Sequence, residues 1–309
     1  MPRRFAPRND GWGWYGDRVS QPAPRFAFAA LLLGNVALAF GPWLVRLSDV
    51  GPVAAGFWRL ALAVPALVVI AALAGQPVRW PGRRLATIVA VAALFFAADL
   101  AAWNAGIHLT KLGNATLFGN VSSFAFAGWG LWLARRGPSR LQGIALGLAA
   151  VGCGLLMTGS AELSAAYLRG DLLSLAAGVL YAFYLVGIER ARGALQPLPT
   201  LVMASVVGAA ALLPLAVLLG EKVMPTAWTP LLLLALGSQV IGQGLLVYAL
   251  GVVPPLVIGL ALLTQPAISA AIGWLAYGET LSATDAIGAL AIATALVLVR
   301  LRKASEATN

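Results

Sequence analysis

Apolar positions along the chain gather into long runs broken only by short polar turns. Representative runs are Phe26 to Val45, Ala54 to Leu73, Leu85 to Ile107 and Ile144 to Met157. A bilayer core about 30 Å thick takes ~20 residues of helix at about 1.5 Å per residue, and irregular backbone facing lipid leaves amides and carbonyls unpaired. The pattern therefore predicts an all-α polytopic membrane protein with ten spans, at roughly 24–46, 52–74, 85–108, 112–134, 140–158, 170–190, 198–220, 228–250, 255–277 and 283–301. Pro42, Pro65, Pro214, Pro254, Pro255 and Pro266 are candidate bends, Pro266 the best of them because it falls inside its span, while Pro254 and Pro255 mark a helix entrance.

Composition agrees. Apolar residues make up 60% of the chain, charged residues 10%, and mean hydropathy is +0.86, where a soluble domain is about 25% charged. The net charge of +10 follows from topology. Sixteen of the 21 basic residues lie in the leading segment, the even-numbered turns and the tail, among them Arg18, Arg25, Arg83, Arg84, Arg135, Arg136 and Arg302. Short-loop basic bias holds that side in the cytoplasm, so an even span count predicts cytoplasmic N and C termini. Anionic lipid headgroups are then the expected partners of these arginines, and nucleic acid is not.

Residues 1–24 are polar, rich in Pro and Gly, and lack the apolar core and cleavage site of a signal peptide, so they are expected to form a flexible cytoplasmic lead with Trp12, Trp14 and Tyr15 near the interface. Cys153, the single cysteine, permits no internal disulfide and is expected to be an inert packing residue. One histidine and no cysteine framework predict no metal and no other cofactor, and without a Walker loop ATP-driven transport is not expected.

The stretch from Lys111 to Leu156 and that from Gly251 to Val299 share an order: an apolar span, a short polar turn, an Ile-Gly near the next helix start, then a span of small residues. A five-span unit used twice is the economical reading, with repeats over 25–158 and 159–301 and a tail at 302–309. Five is odd, so the second copy must enter the membrane from the opposite side, an inverted repeat of the kind that builds transporters around a central site.

The second half, PPLVIGLALLTQPAISAAIGWLAYGETLSATDAIGALAIATALVLV, resembles the EamA-type unit of the drug/metabolite transporter superfamily through Pro266, Gly273, Gly278, Glu279 and Gly288. AAGFWRLALAVPALVV, with Arg59, is similar to an early helix pair of that unit. The resemblance covers about residues 25–301, and within the superfamily the HLTKLGNATLF turn and the ten spans look most like the YddG branch of aromatic and neutral amino-acid exporters. It implies a basket of ten helices in two inverted halves, and amino acids carried outward. The first half departs from the pattern, with Asn120 near where the second half has Pro266 and LARRGPS in place of AYGETLS.

Several polar residues inside the spans are candidates to meet a substrate. Asp99, Trp103 and Gly106 share one helical face, and an intramembrane carboxylate needs a cation, water, a proton or a hydrogen-bonding partner. Asn114, Thr116, Asn120, Ser122 and Ser123 mark span four, while Gln239 and Gln243, one turn apart in span eight, offer neutral amides that either reach substrate or join helices. Tyr181 and Tyr184, with Trp43, Trp58 and Trp103, can line an apolar region, whereas Trp80 and Trp228 read as headgroup anchors. The binding set is thus Asp99, Trp103, Asn120, Tyr181, Tyr184, Gln239 and Gln243, with Arg59, His108, Pro266 and Glu279 in gating or structural roles. Arg59 either lies deep enough to face Asp99 or a substrate carboxylate, or snorkels to the surface; snorkelling is the preferred expectation. His108 is expected at the interface and Glu279 in the fold.

The function that the resemblance implies, and that these features fit, is non-enzymatic: a carrier exporting amino acids of broad specificity, such as phenylalanine, threonine and methionine, by alternating access. A monomer is compatible with it. The alternatives are a drug/metabolite carrier for another small organic solute and, as the lesser expectation, a channel.

Overall fold

In a computed structural model the secondary-structure elements among the described residues are all helices. The structure describes residues 26–110, 112–135, 137–157, 164–268, 271, 275 and 282–306. Helices α1 (Ala27–Ala39) and α2 (Gly41–Leu47) form one stacked span, followed by α3 (Pro52–Leu73) and α4 (Arg83–Leu109). Next come α5 (Leu112–Gly119) and α6 (Val121–Leu133), α7 (Arg140–Met157), α8 (Leu168–Ala191) and α9 (Pro197–Leu218). The chain continues through α10 (Thr229–Leu233), a π-helix (Leu234–Gln243), α11 (Gly244–Leu250), α12 (Pro255–Leu262) and α13 (Ala283–Glu306). Among the described residues six helical stretches are long and apolar enough to cross a membrane: 27–47, 52–73, 83–109, 168–191, 197–218 and 229–250. The leading segment with Trp12, Trp14 and Tyr15, and the residues Gly273, Gly278 and Glu279, lie outside the described residues.

Among the described residues the helices break near Phe40, near Asn120 and after Leu262, and each break has a local cause. Pro42 has no N–H for the carbonyl four residues back, and the first span interrupts at Phe40. Pro266 does the same to the carbonyl of Leu262: α12 ends there, and Thr264 closes the turn by donating its N–H (3.0 Å) and its hydroxyl (2.7 Å) to the Ala261 carbonyl. The break at Asn120 has no proline. There Ser122 Oγ donates to the Gly119 carbonyl (2.9 Å) and the Ser123 N–H closes a tight turn on the Asn120 carbonyl (3.0 Å). Pro65 and Pro214, by contrast, sit inside uninterrupted helices.

Packing pairs helices that are distant in sequence. α3 packs on α9, α6 on α12, and α7 on α13, while α4 packs on α8 and α1 on the π-helix. Small residues set the closest approaches, as lipid provides no hydrophobic drive between helices. A Cβ built on Gly152 would stand 2.6 Å from the Gly288 carbonyl oxygen, and one on Gly288 would stand 2.7 Å from that of Gly152. Large side chains such as Leu73, Leu94, Val217, Leu218 and Leu290 point outward, as a lipid-solvated surface requires.

At one end of the bundle, the turn after α2 is clasped to the turn after α9. Asp49 accepts from Lys222 Nζ (2.5 Å), from the Thr226 N–H (2.9 Å) and from the Thr226 hydroxyl. Glu221 caps α3 by accepting from the N–H groups of Val53 (3.2 Å) and Ala54 (2.8 Å). The hydrogen bond from Lys222, then those from Thr226, hold the Asp49 carboxyl well below its ordinary value of 3.8. A carboxyl depressed on folding stabilises the fold above its unfolded value and loses that contribution as pH falls. Asp49→Asn should therefore lower the thermal midpoint in detergent slightly, the pair being exposed. The gap from wild type should stay constant above pH 3.8 and close below it; a gap that closes at neutral pH would remove Asp49 from the clasp.

Candidate functional site

The α1–α2 and α5–α6 breaks and the turn before Pro266 converge on a cavity of about 120 Å³. Its wall draws on α1, α2, α3, α4, α5, α6, α8 and the α12 end, and it includes Arg59, Phe96, Asp99, Trp103, Asn104, Asn120, Tyr181 and Gln265. Ionisable side chains of opposite type face it, Arg59 and Asp99, in surroundings that screen little. These are the two formally charged side chains among its described lining residues.

Arg59 does not snorkel. It sits in α3 with Nε donating to Gln239 Oε1 (3.1 Å) and the guanidinium carbon 5.7 Å from the centre of the Phe96 ring, so polar and aromatic contacts inside the bundle replace the path to the interface. Asp99, one side of the same cavity, is 8% exposed. Trp103 lies against Gly119: a Cβ there would stand 2.5 Å from Trp103 Cζ3, so the glycine at the end of α5 makes room for the indole. Asn104 Nδ2 donates to the Pro52 carbonyl (2.9 Å) and ties α4 to the start of α3.

Of the expected binding set, Asp99, Trp103, Asn120 and Tyr181 line the cavity together. Gln239, Gln243 and Tyr184 do not; all three are fully buried behind its wall. Gln239 Nε2 donates to Ser205 Oγ (3.1 Å), and Gln243 takes a hydrogen bond from Tyr181 Oη (3.4 Å) while giving one to Tyr184 Oη (2.9 Å). Tyr184 stacks on Phe96 with centroids 4.4 Å apart, and on Tyr181 at 5.6 Å. The helical face that carries both glutamines turns toward α3, α8 and α9 because partners for buried amides are there.

Other candidates fall elsewhere. Gly106 packs on α8, where a Cβ would stand 2.7 Å from Ser174 Oγ, instead of opening a gap beside Asp99. His108 is exposed near the end of α4, and Pro266 is buried at its break. Trp58 donates to the Val223 carbonyl (2.7 Å) and meets Trp228 edge-on at 5.0 Å, so this pair secures the clasped end and does not line the cavity. Neither does Trp43, which packs with Phe40. Cys153 is buried, as expected of a packing residue, and its sulfur accepts from Asn120 Nδ2 (3.4 Å). Asn35, absent from the expected set, is fully buried in α1 and donates to the Ala261 carbonyl (2.7 Å) near the end of α12; a lone amide amid apolar residues was its signal. Among the described residues no group of three or more His, Cys, Asp or Glu side chains is placed to hold a metal ion.

A solved structure described only as a crystal structure of a protein shares this fold. It is 16% identical, with a TM-score of 0.74, over 90% of this chain and 97% of the other. No curated protein matches the chain. Residues 168–301 match the EamA-like transporter family, which makes this stretch a transporter domain rather than an enzyme. The chain is thus a multi-pass, all-α membrane protein that carries an EamA-like transporter domain over 168–301.

Proposed function

We propose that the protein is an inner-membrane carrier that exports amino acids by alternating access through this cavity. The observation that carries the reading is one basic and one acidic side chain, Arg59 and Asp99, facing one small cavity bordered by Phe96, Trp103 and Tyr181. A zwitterion matches that charge pair: its carboxylate goes to the guanidinium fork, its ammonium to the Asp99 carboxylate, and its side chain to the rings. An organic anion would leave Asp99 opposed to it, so the alternative of another drug/metabolite solute fits best if that solute is also net neutral.

The helix pairings support two inverted five-helix halves over 25–158 and 159–301. Advancing each span by five places maps the pairs α3–α9, α6–α12 and α7–α13 onto themselves and exchanges α4–α8 with the π-helix–α1 pair. Such a relation lets either half open while the other closes. The basic turns favour the same side for both termini, the cytoplasm.

Proteoliposomes loaded with phenylalanine, threonine or methionine test this directly. Saturable uptake stimulated by unlabelled amino acid on the far side is the expected result, because exchange needs only the loaded carrier to reorient. Folded protein that moves none of the three would sink the amino-acid reading, and conductance far above carrier turnover would favour a channel.

A further inference from the structure

The eighth span never reaches the cavity wall, yet its polar side chains hold two of the wall's residues. Its middle is a π-helix, a form that appears mostly as short bulges and often at functional sites. This segment is clamped from behind: a Cβ on Gly34 would stand 3.0 Å from the Gly242 carbonyl, and one on Gly242 would stand 2.9 Å from Leu38 Cγ. Gln239 and Gln243 project from it at a fixed spacing.

Arg59 can only donate, so its Nε fixes Gln239 Oε1 toward the guanidinium and leaves Nε2 to donate to Ser205 Oγ. With its Nε held by Gln239, the Arg59 guanidinium keeps its two terminal nitrogens as a fork for a carboxylate. Gln243 ties the hydroxyls of Tyr181 and Tyr184 together, and those rings stack in turn on each other, with Tyr184 stacked on Phe96.

We infer that Gln239 and Gln243 are positioning residues with divided specificity duties: Gln239, through Arg59, sets recognition of the substrate carboxylate, and Gln243, through Tyr181 and Tyr184, sets recognition of the substrate side chain. The inference rests on the carrier reading above and goes beyond it. Neither amide touches the solute. Losing a hydrogen bond to a charged group costs about tenfold in affinity, while loosening neutral hydroxyls acts on the contact surface of the rings.

The test is counterflow in proteoliposomes with phenylalanine, threonine and phenylalaninamide, which lacks the carboxylate. In Gln239→Met the KM values for phenylalanine and threonine should rise in proportion, and the preference for phenylalanine over its amide should fall about tenfold. In Gln243→Met that preference should persist, while the KM for phenylalanine rises more than that for threonine. Ser205→Ala and Tyr184→Phe remove the outer partner of each amide and should reproduce the two patterns in weaker form, so the test stands where a glutamine variant fails to fold. Folded variants that shift both ratios alike, or neither, overturn the assignment alone. Wild type that moves neither amino acid overturns the carrier reading and the assignment with it.

Discussion

Arg59→Met is expected to reduce transport efficiency for every carboxylate-bearing substrate by about a hundredfold or more, with the largest part in KM. Truncating one partner of a buried, hydrogen-bonded charge pair costs about 2–5 kcal/mol, and each 1.4 kcal/mol is about tenfold. The guanidinium is oriented by Gln239 and Phe96 before any substrate arrives, so its contribution is not offset by the entropy of ordering a free side chain. Removing it also leaves Asp99 without its opposite charge in the membrane interior, which threatens the fold itself. Two companions separate these effects. Arg59→Met with Asp99→Asn should recover folded yield without recovering transport. Arg59→Lys keeps the charge but loses the fork and the Nε donor, and should fall between wild type and methionine. A folded Arg59→Met protein with wild-type KM for phenylalanine would take the guanidinium out of substrate recognition.

How deep Arg59 lies is also where sequence and structure part most clearly. The apolar runs were readable because lipid leaves backbone no other partner than its own helix, and the breaks near Pro42 and Pro266 were readable because proline removes a donor. The break at Asn120 was not, since it depends on Ser122 taking the Gly119 carbonyl, a choice many serines in helices do not make. For Arg59 the sequence offers only a distance from the span's end. Whether the side chain turns to the interface or inward is settled by Gln239 and Phe96, which come from other helices. The glutamines show the same limit. Their shared face follows from their spacing, but the direction of that face follows from Ser205 and the two tyrosines, and a π-helix in that span leaves no mark in hydropathy.

Gly152→Val and Gly288→Val should each cause a large loss of folded protein, and together they should cost less than the sum of the two. Each new side chain would meet the other helix's backbone, the Gly288 and Gly152 carbonyls at 2.6 and 2.7 Å, where no rotamer change gives relief. Close by are Ile292 Cγ1 at 2.9 Å from the first Cβ position and Leu156 Cγ at 3.0 Å from the second. Overpacking a fitted contact costs about 1–3 kcal/mol and more where backbone must shift, and stability is commonly ~5–15 kcal/mol in all. The remedy is the same for both variants: α7 and α13 move apart. Once one valine has separated them, the second finds part of the space already made, so the coupling between the two sites is favourable in sign. Gly154, also in α7, provides the control, because a Cβ there meets nothing within 4 Å; Gly154→Ala should be neutral or slightly stabilising through helix propensity. Thermal stability by size-exclusion chromatography in detergent reads all four variants. Additive losses at 152 and 288 would mean the helices respond to each clash locally, and would rule out their separation as a unit.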